Sequence, residues 1–284
     1  MGKAIKVRNE LWDSIELVNL VQTLKDIADN KYFTLMGQRN SFKRFGESFV
    51  EFFRLLSFAD VRHPLIRNDN PRVGIIVVTI EGSFLAQFNN SIVRMAMMEK
   101  DKYADVEFIG VGEKCHDKFS RVAPNMKVFP EMEKVGQYET AVKIKDYVTD
   151  KVMRGELGKV VICHAWPKSF DVQKYRTKRL LPCEEIVGQQ SQFVDEFSNV
   201  IQESSPEAMI EFLAKLWITS RIYEFLVDTT IASAAAQSSF LQDRVEDMRK
   251  GVKKVQLRYR KARKGDIDKS LRETFTARMI TMDK

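Results

Sequence analysis

Cysteine is scarce. Cys115, Cys163 and Cys183 make an odd, scattered set in a chain of 284 residues. Such a set builds no disulfide framework and points to free thiols in a reducing compartment. No apolar run reaches the ~18 residues that a spanning helix needs, so no membrane-crossing helix is expected. The opening MGKAIKVRNELWDS has no apolar core and soon turns acidic, which speaks against a secretion signal or a transit peptide. Lys6 stands where a myristoylation signal needs Ser or Thr. Internal repeats and low-complexity tracts are missing too.

Catalytic signatures are equally thin. Gly155-Glu156-Leu157-Gly158-Lys159-Val160 is too short for a phosphate loop and ends on valine rather than Ser or Thr. Gly110-Val111-Gly112 follows a strand pattern but lacks the third glycine of a dinucleotide fingerprint. Cys115-His116 and Cys163-His164 are two Cys-His pairs without the spacing that puts two ligands on one zinc. Nothing resembles G-x-S-x-G or H-E-x-x-H. No catalytic residue, cofactor or metal is therefore assigned.

What the chain does have is length without interruption. After the helix-start signal Ser205-Pro206-Glu207, no proline or glycine occurs until Gly251. Apolar residues recur at steps of three and four: Ile210, Leu213, Trp217, Val227, Ile231, Ala234, Leu241, Val245, Met248, Val252, Val255, Tyr259 and Ala262. Ser220, Glu224 and Ser238 are polar gaps in that seam. About 57 residues at ~1.5 Å each give a rod of roughly 85 Å, which must lie against another long helix. Gly265-Asp266 is expected to bend or briefly break it, before a basic helix from Ile267 to Met279.

The other terminus offers the same rhythm. Leu17, Val21, Leu24, Ala28, Leu35, Phe42, Phe45, Phe49, Phe52 and Leu56 form a seam, with Lys31 and Gln38 as polar slots. The helix is expected from about Leu11 to Phe58. Two such segments predict an antiparallel coiled coil closed between the chain's two ends.

Between them the pattern changes. Val73–Thr79, Val106–Val111, Asn125–Phe129 and Lys159–Ala165 read as strands, with Phe170–Pro182 returning along an edge. Helices around Phe88–Glu99 and Thr140–Met153 alternate with them. The fold class is α/β plus coiled coil, with an open, Rossmann-like α/β domain inserted between long terminal helices. The expected division is 1–58 first helix, 59–72 linker, 73–183 α/β domain, 184–204 linker and 205–284 last helix.

The net charge of +7 leaves nucleic acid, an anionic surface or an acidic protein as partner. Its densest cluster is Arg249, Lys250, Lys253, Lys254, Arg258, Arg260, Lys261, Arg263 and Lys264. Aromatics are not interleaved there at stacking positions, which disfavours nucleic acid. Two readings stand: a solvated helix face, or a docking face for acidic protein loops.

The segment Val255–Glu273 resembles the closing signature of the gamma subunit of F-type rotary ATP synthases, L-x-Y-N-K-A-R-Q-A-x-I-T-x-E-L-x-E. Leu257, Tyr259, Lys261, Ala262, Arg263, Ile267, Leu271 and Glu273 match it; Arg260, Lys264, Asp268 and Ser270 replace its Asn, Gln, Thr and Glu. Gln87-Phe88-Asn89 matches the end of the family's G-L-V-G-Q-F-N, with Ser83 and Ala86 in place of glycines. Arg179-Leu180-Leu181-Pro182 is similar to its R-x-L-L-P. The family's lysine- and methionine-rich N-terminal track is replaced by Gln22–Phe33, with Asp26 and Asp29.

The resemblance implies a central-stalk rotor shaft, non-catalytic itself. Its partners would be a ring of alternating alpha- and beta-type nucleotide-binding subunits, an epsilon-type subunit and a membrane rotor ring. It implies a cytoplasmic complex held peripherally on an energy-transducing membrane, without nucleic acid and without direct insertion. Lys250, Lys253, Lys254, Arg258, Lys261, Arg263, Gln87 and Asn89 are the implied partner contacts. A coiled-coil adaptor unrelated to rotary motors, or a small α/β enzyme using Cys163 and His164, are the alternatives.

Overall fold

A computed structural model describes residues 3–55, 63–82, 84–130, 132–183 and 205–282; side chains of 40–55, 133–134, 206 and 280–282 fall outside the description. The elements run α1 (Lys3–Leu55), β1 (Val73–Val78), α2 (Ala86–Lys100), β2 (Val106–Val111), α3 (Glu113–Phe119) and β3 (Lys127–Phe129). Then come α4 (Met132–Val135), α5 (Gln137–Met153), β4 (Lys159–Pro167), β5 (Gln173–Leu181) and α6 (Pro206–Met282). The chain divides into two compact units, residues 30–236 and residues 1–29 with 237–284.

The larger unit is built on a five-stranded sheet of order β3-β2-β1-β4-β5. The first four strands are parallel and β5 returns antiparallel to β4 along the edge. Central β1 reads VGIIVV and is buried at every position, as a strand covered on both faces requires. Helix α2 buries Phe88, Ile92, Ala96 and Glu99, one side of a helical period. Helix α5 does the same with Ala141, Ile144, Val148 and Val152. Ile210, Leu213, Ile218, Ile222 and Phe225 of α6 join the same core.

Two expectations about the helices need correction. The first helix starts at Lys3 rather than Leu11. The last one passes through Gly265-Asp266 without a break. A glycine inside a helix costs only about 1 kcal/mol, too little to end one supported on both sides.

Gly158 and Gly265 sit in opposite surroundings. Gly158 lies where the chain enters β4, and its amide donates to the Arg72 carbonyl at 2.9 Å. A Cβ there would stand 1.9 Å from the Asn70 carbonyl oxygen. At Gly265 a Cβ would meet nothing within 4 Å. Gly158→Ala is therefore expected to lower the thermal midpoint clearly, because backbone has to move. Gly265→Ala is expected to stabilise by up to about 1 kcal/mol. Thermal and denaturant unfolding of the two variants check both signs.

Candidate functional site: the paired terminal segments and their charged faces

In the unit formed by residues 1–29 and 237–284, α1 turns Ala4, Val7, Leu11, Ser14, Val18, Val21, Lys25 and Ala28 inward, all buried or half-buried. Segment α6 turns in Ser238, Leu241, Val245, Met248, Val252, Val255, Tyr259, Ala262 and Asp266. Both series step by three and four. The α6 series follows the sequence expectation through Ala262. The α1 series keeps Val21 and Ala28 but is rotated by one residue elsewhere. Leu17 and Leu24, expected inside, are 51% and 38% exposed, and Val18 and Lys25 take their places. The expected seam members Phe42, Phe45, Phe49 and Phe52 lie outside the described side chains, and Leu56 lies outside the described residues.

Polar contacts explain the rotation. The Ala4 amide donates to Asp266 Oδ2 at 3.1 Å, so a carboxylate of α6 satisfies an orphan donor at the positive end of α1. Arg258 Nη2 donates to Glu10. Arg249 Nη2 donates to Gln22 Oε1 at 3.2 Å. The Ser238 hydroxyl donates to Asp29 Oδ1. Lys25 Nζ also reaches Asp29, at 2.7 Å. As the α1 number rises, the α6 number falls. Leu24 in the seam could make none of these bonds; Lys25 there anchors Asp29.

Asp29 is pulled two ways. Burial raises its pKa, but hydrogen bonds from Lys25 and Ser238 and the Lys25 charge bring it below the ordinary 3.8. Its contribution to stability is present above that value and fades as pH falls through the lowered one.

The implied contact residues separate into classes. Lys250, Lys253, Lys254, Arg258, Lys261 and Arg263 are all exposed. At about 100° per residue, Lys250, Lys253, Lys254 and Lys261 share the sector opposite the seam. Lys250 pairs with Asp247 at 3.1 Å. Arg258 bridges to Glu10 beside the seam, and Arg263 falls on the other flank. Gln87 is exposed at the start of α2. Asn89 is buried: its Oδ1 accepts the Ile80 amide at 3.1 Å and its Nδ2 donates to the Ile80 carbonyl at 2.7 Å. Both polar ends of Asn89 hold the turn after β1, so its place is inside the α/β unit and not on a contact surface.

The larger unit contains a charged pair that sequence reasoning passed over. Asp228 on α6 is 2% exposed, and Arg39 Nε of α1 lies 2.6 Å from its Oδ1. Around it, the Thr229 and Thr230 hydroxyls turn back to the carbonyls of Phe225 and Leu226. Tyr32, Val227, Ile231, Ala234 and Ala235 form an apolar cluster in the same unit. A lone aspartate inside an apolar helix period was the available signal.

The Cys163-His164 pair has no chemistry to offer. Burial pushes the Cys163 thiol up to about 11, and it meets the Thr177 hydroxyl at 3.4 Å. Burial holds His164 down at about 4, with its ring 4.4 Å from Phe225. Neighbours on a strand point to opposite faces, so thiol and imidazole do not meet. Cys115 is buried too, its thiol pushed up to about 12. Among the described residues no three His, Cys, Asp or Glu gather as a metal site. No described helix is long and apolar enough to cross a membrane.

Residues 3–277 match the family described as ATP synthase. The ATP synthase gamma chain of Chlorobium phaeobacteroides is 24% identical over 223 residues, covering 74% of this chain and 75% of the relative. That of Pelotomaculum thermopropionicum is 25% identical over 216 residues, covering 75% of each. A chain of the Euglena gracilis mitochondrial ATP synthase superposes with a TM-score of 0.63 at 15% identity, over 98% of this chain and 94% of its own. A chain of the central stalk and c-ring of the Tetrahymena thermophila enzyme gives 0.58 at 16%, over 79% and 99%. At such identities the superpositions speak for the fold.

Burial pushes Asp228 up from 3.8 to about 6, against the pull of Arg39; Glu224 adds to the rise and Arg221 opposes it. The folded chain therefore holds a proton that the unfolded chain releases, and stability falls as pH rises through that window. Asp228 alone should account for a fall on the order of 2–3 kcal/mol. Asp228→Asn is expected to flatten this dependence. Arg39→Met, which leaves the carboxylate buried without its partner, should cost about 3 kcal/mol at neutral pH. Denaturant midpoints across the pH range check both.

Proposed function

The chain belongs to the ATP synthase family, as a divergent gamma chain, and from that premise we propose that it is the rotor shaft of a rotary ATP synthase or ATPase. Residues 1–58 and 205–284 are the two strands of an antiparallel coiled coil. Residues 73–183 are the α/β head, joined through 59–72 and 184–204. The observation that carries this reading is the reversed order of the contacts Ala4–Asp266, Glu10–Arg258, Gln22–Arg249 and Asp29–Ser238.

Two helices zipped in opposite directions resist twist better than one, because sliding either breaks every contact in the seam. A shaft with unlike faces gives each site of a surrounding ring a different neighbour. Turning it changes which nucleotide state each site prefers, a coupling of binding free energy to orientation. Alpha- and beta-type subunits form that ring, and an epsilon-type subunit and a membrane rotor ring meet the head. The complex lies on the cytoplasmic side of an energy-transducing membrane. Phosphoanhydride chemistry belongs to the ring; the buried thiols and neutral His164 support a non-catalytic shaft.

Native purification through a tag on this chain tests the reading. Alpha- and beta-type nucleotide-binding chains are expected in the proportions of a ring around one shaft. A lone chain, or a homodimer without nucleotide-binding partners, overturns it in favour of a coiled-coil adaptor. Within the complex, Lys253→Glu combined with Lys254→Glu should lower ATP hydrolysis by roughly two- to tenfold while leaving the variant's own thermal midpoint unchanged. Steady-state hydrolysis by the assembled complex is the measurement.

A further inference from the structure

The β4–β5 hairpin is longer than the sheet needs. Strand β1 pairs with β4 as far as Val77–Cys163, and β4 runs on to Pro167. Four residues at ~3.3 Å each carry the hairpin roughly 13 Å past its neighbour. Over that length β4 pairs with β5, from His164–Arg176 to Pro167–Gln173.

This arm is held along its length. At its base the His164 ring lies 4.4 Å from the Phe225 ring of α6. Midway, the Arg176 guanidinium stacks 3.5 Å from the centre of the Trp166 ring. At the tip, the turn 168–172 carries its own bonds. The Lys168 and Ser169 amides donate to the Val172 carbonyl at 3.1 and 3.2 Å, and the Val172 amide donates to Ser169 Oγ at 3.2 Å. Gln173 Nε2 donates to the Phe170 carbonyl at 2.7 Å. Loop tips fray unless such bonds tie them down.

What the turn presents is Phe170. Its ring meets Tyr32 of α1 edge-on at 4.9 Å and lies parallel to Phe33 at 6.2 Å. It packs on the cluster that α1 and α6 share, Tyr32 with Val227, Ile231, Ala234 and Ala235. All of these residues belong to the unit 30–236. Among the described ring contacts, those of Phe170 are the ones that join the α/β domain to α1.

The sheet is already packed on α6 along Ile210, Leu213, Ile218, Ile222 and Phe225. A body held to one helix can swivel about that helix. Packed helices lie ~8–10 Å apart, so a second hold on α1 sits off the α6 axis and blocks the swivel. We propose that Phe170 is a positioning residue that keys the α/β head to α1, so that the head and both long helices turn as one body. This rests on the shaft reading.

Single-molecule rotation of the assembled complex tests it. The nucleotide-binding ring is fixed to a surface, and a probe is attached to the head through Val122→Cys, an exposed position; the native thiols are buried and stay unlabelled. The angular spread of the probe during a catalytic pause reads how stiffly head and helices are joined. Phe170→Ala is expected to raise the variance of that spread about twofold, and Phe170→Tyr, which keeps the ring, to leave it at its original width. Val172→Ala, in the same turn but 44% exposed, is expected to change nothing. An unchanged spread in Phe170→Ala overturns the proposal. So does equal widening by Val172→Ala, or widening by Phe170→Tyr. If Phe170→Ala yields no complex, Phe170→Leu takes its place, apolar but without the ring, and the same outcomes decide. In each of these cases the shaft reading stands, since the complex rotates. An unsubstituted complex whose probe does not rotate overturns the shaft reading, and this proposal with it.

Discussion

A carboxylate on one helix holding a first-turn amide of another is the contact on which the terminal segments depend. Asp266 accepts the Ala4 amide, and this fixes where α1 begins along α6. Apolar seams specify direction and face but tolerate sliding by a heptad, because each repeat looks like the next. Point contacts between unlike groups do not slide. Glu10–Arg258, Gln22–Arg249 and Asp29–Ser238 repeat the constraint at intervals along the pair. For a shaft, register is function: a pair that slips transmits no torque.

The same constraint sets which residues face outward. With Lys25 and Asp29 drawn to the seam, leucines that could have filled it remain at the surface. The outcome is a helix pair with chemically distinct faces, exposed leucines on α1 and lysines on the side of α6 opposite the seam. Such asymmetry is what a shaft needs if its orientation is to matter to a ring around it. A uniformly charged rod would present each ring site with the same neighbour.

The aspartates Asp29, half-buried, and Asp228, buried, behave differently because their surroundings do. Asp29 gathers a lysine and a hydroxyl and is stabilised as a charge. Asp228 has Arg39 but is almost wholly out of water, and desolvation outweighs the pair. Hydroxyls at Thr229 and Thr230 turn to their own helix's carbonyls rather than to that carboxylate. Acidification therefore loosens the first site and favours the second.

The sequence by itself determined the order of the strands and of the longer helices, the parallel sheet with its returning edge strand, and the α6 seam from Ser238 to Ala262, but not the short helices α3 and α4. These follow from periodicity and from β-branched runs, which report a residue's own preference for burial. The closing signature from Leu257 to Glu273 carried the family. What only the tertiary structure decided is the rotation of α1. Leu17 and Leu24 against Val18 and Lys25 is a choice between two seams that share Val21 and Ala28, and hydrophobicity favours the wrong one. The pairing of Arg39 with Asp228 was hidden for the same reason. Their roles depend on groups far off in the chain, and a hydrogen bond or ion pair leaves no period in the sequence of either partner.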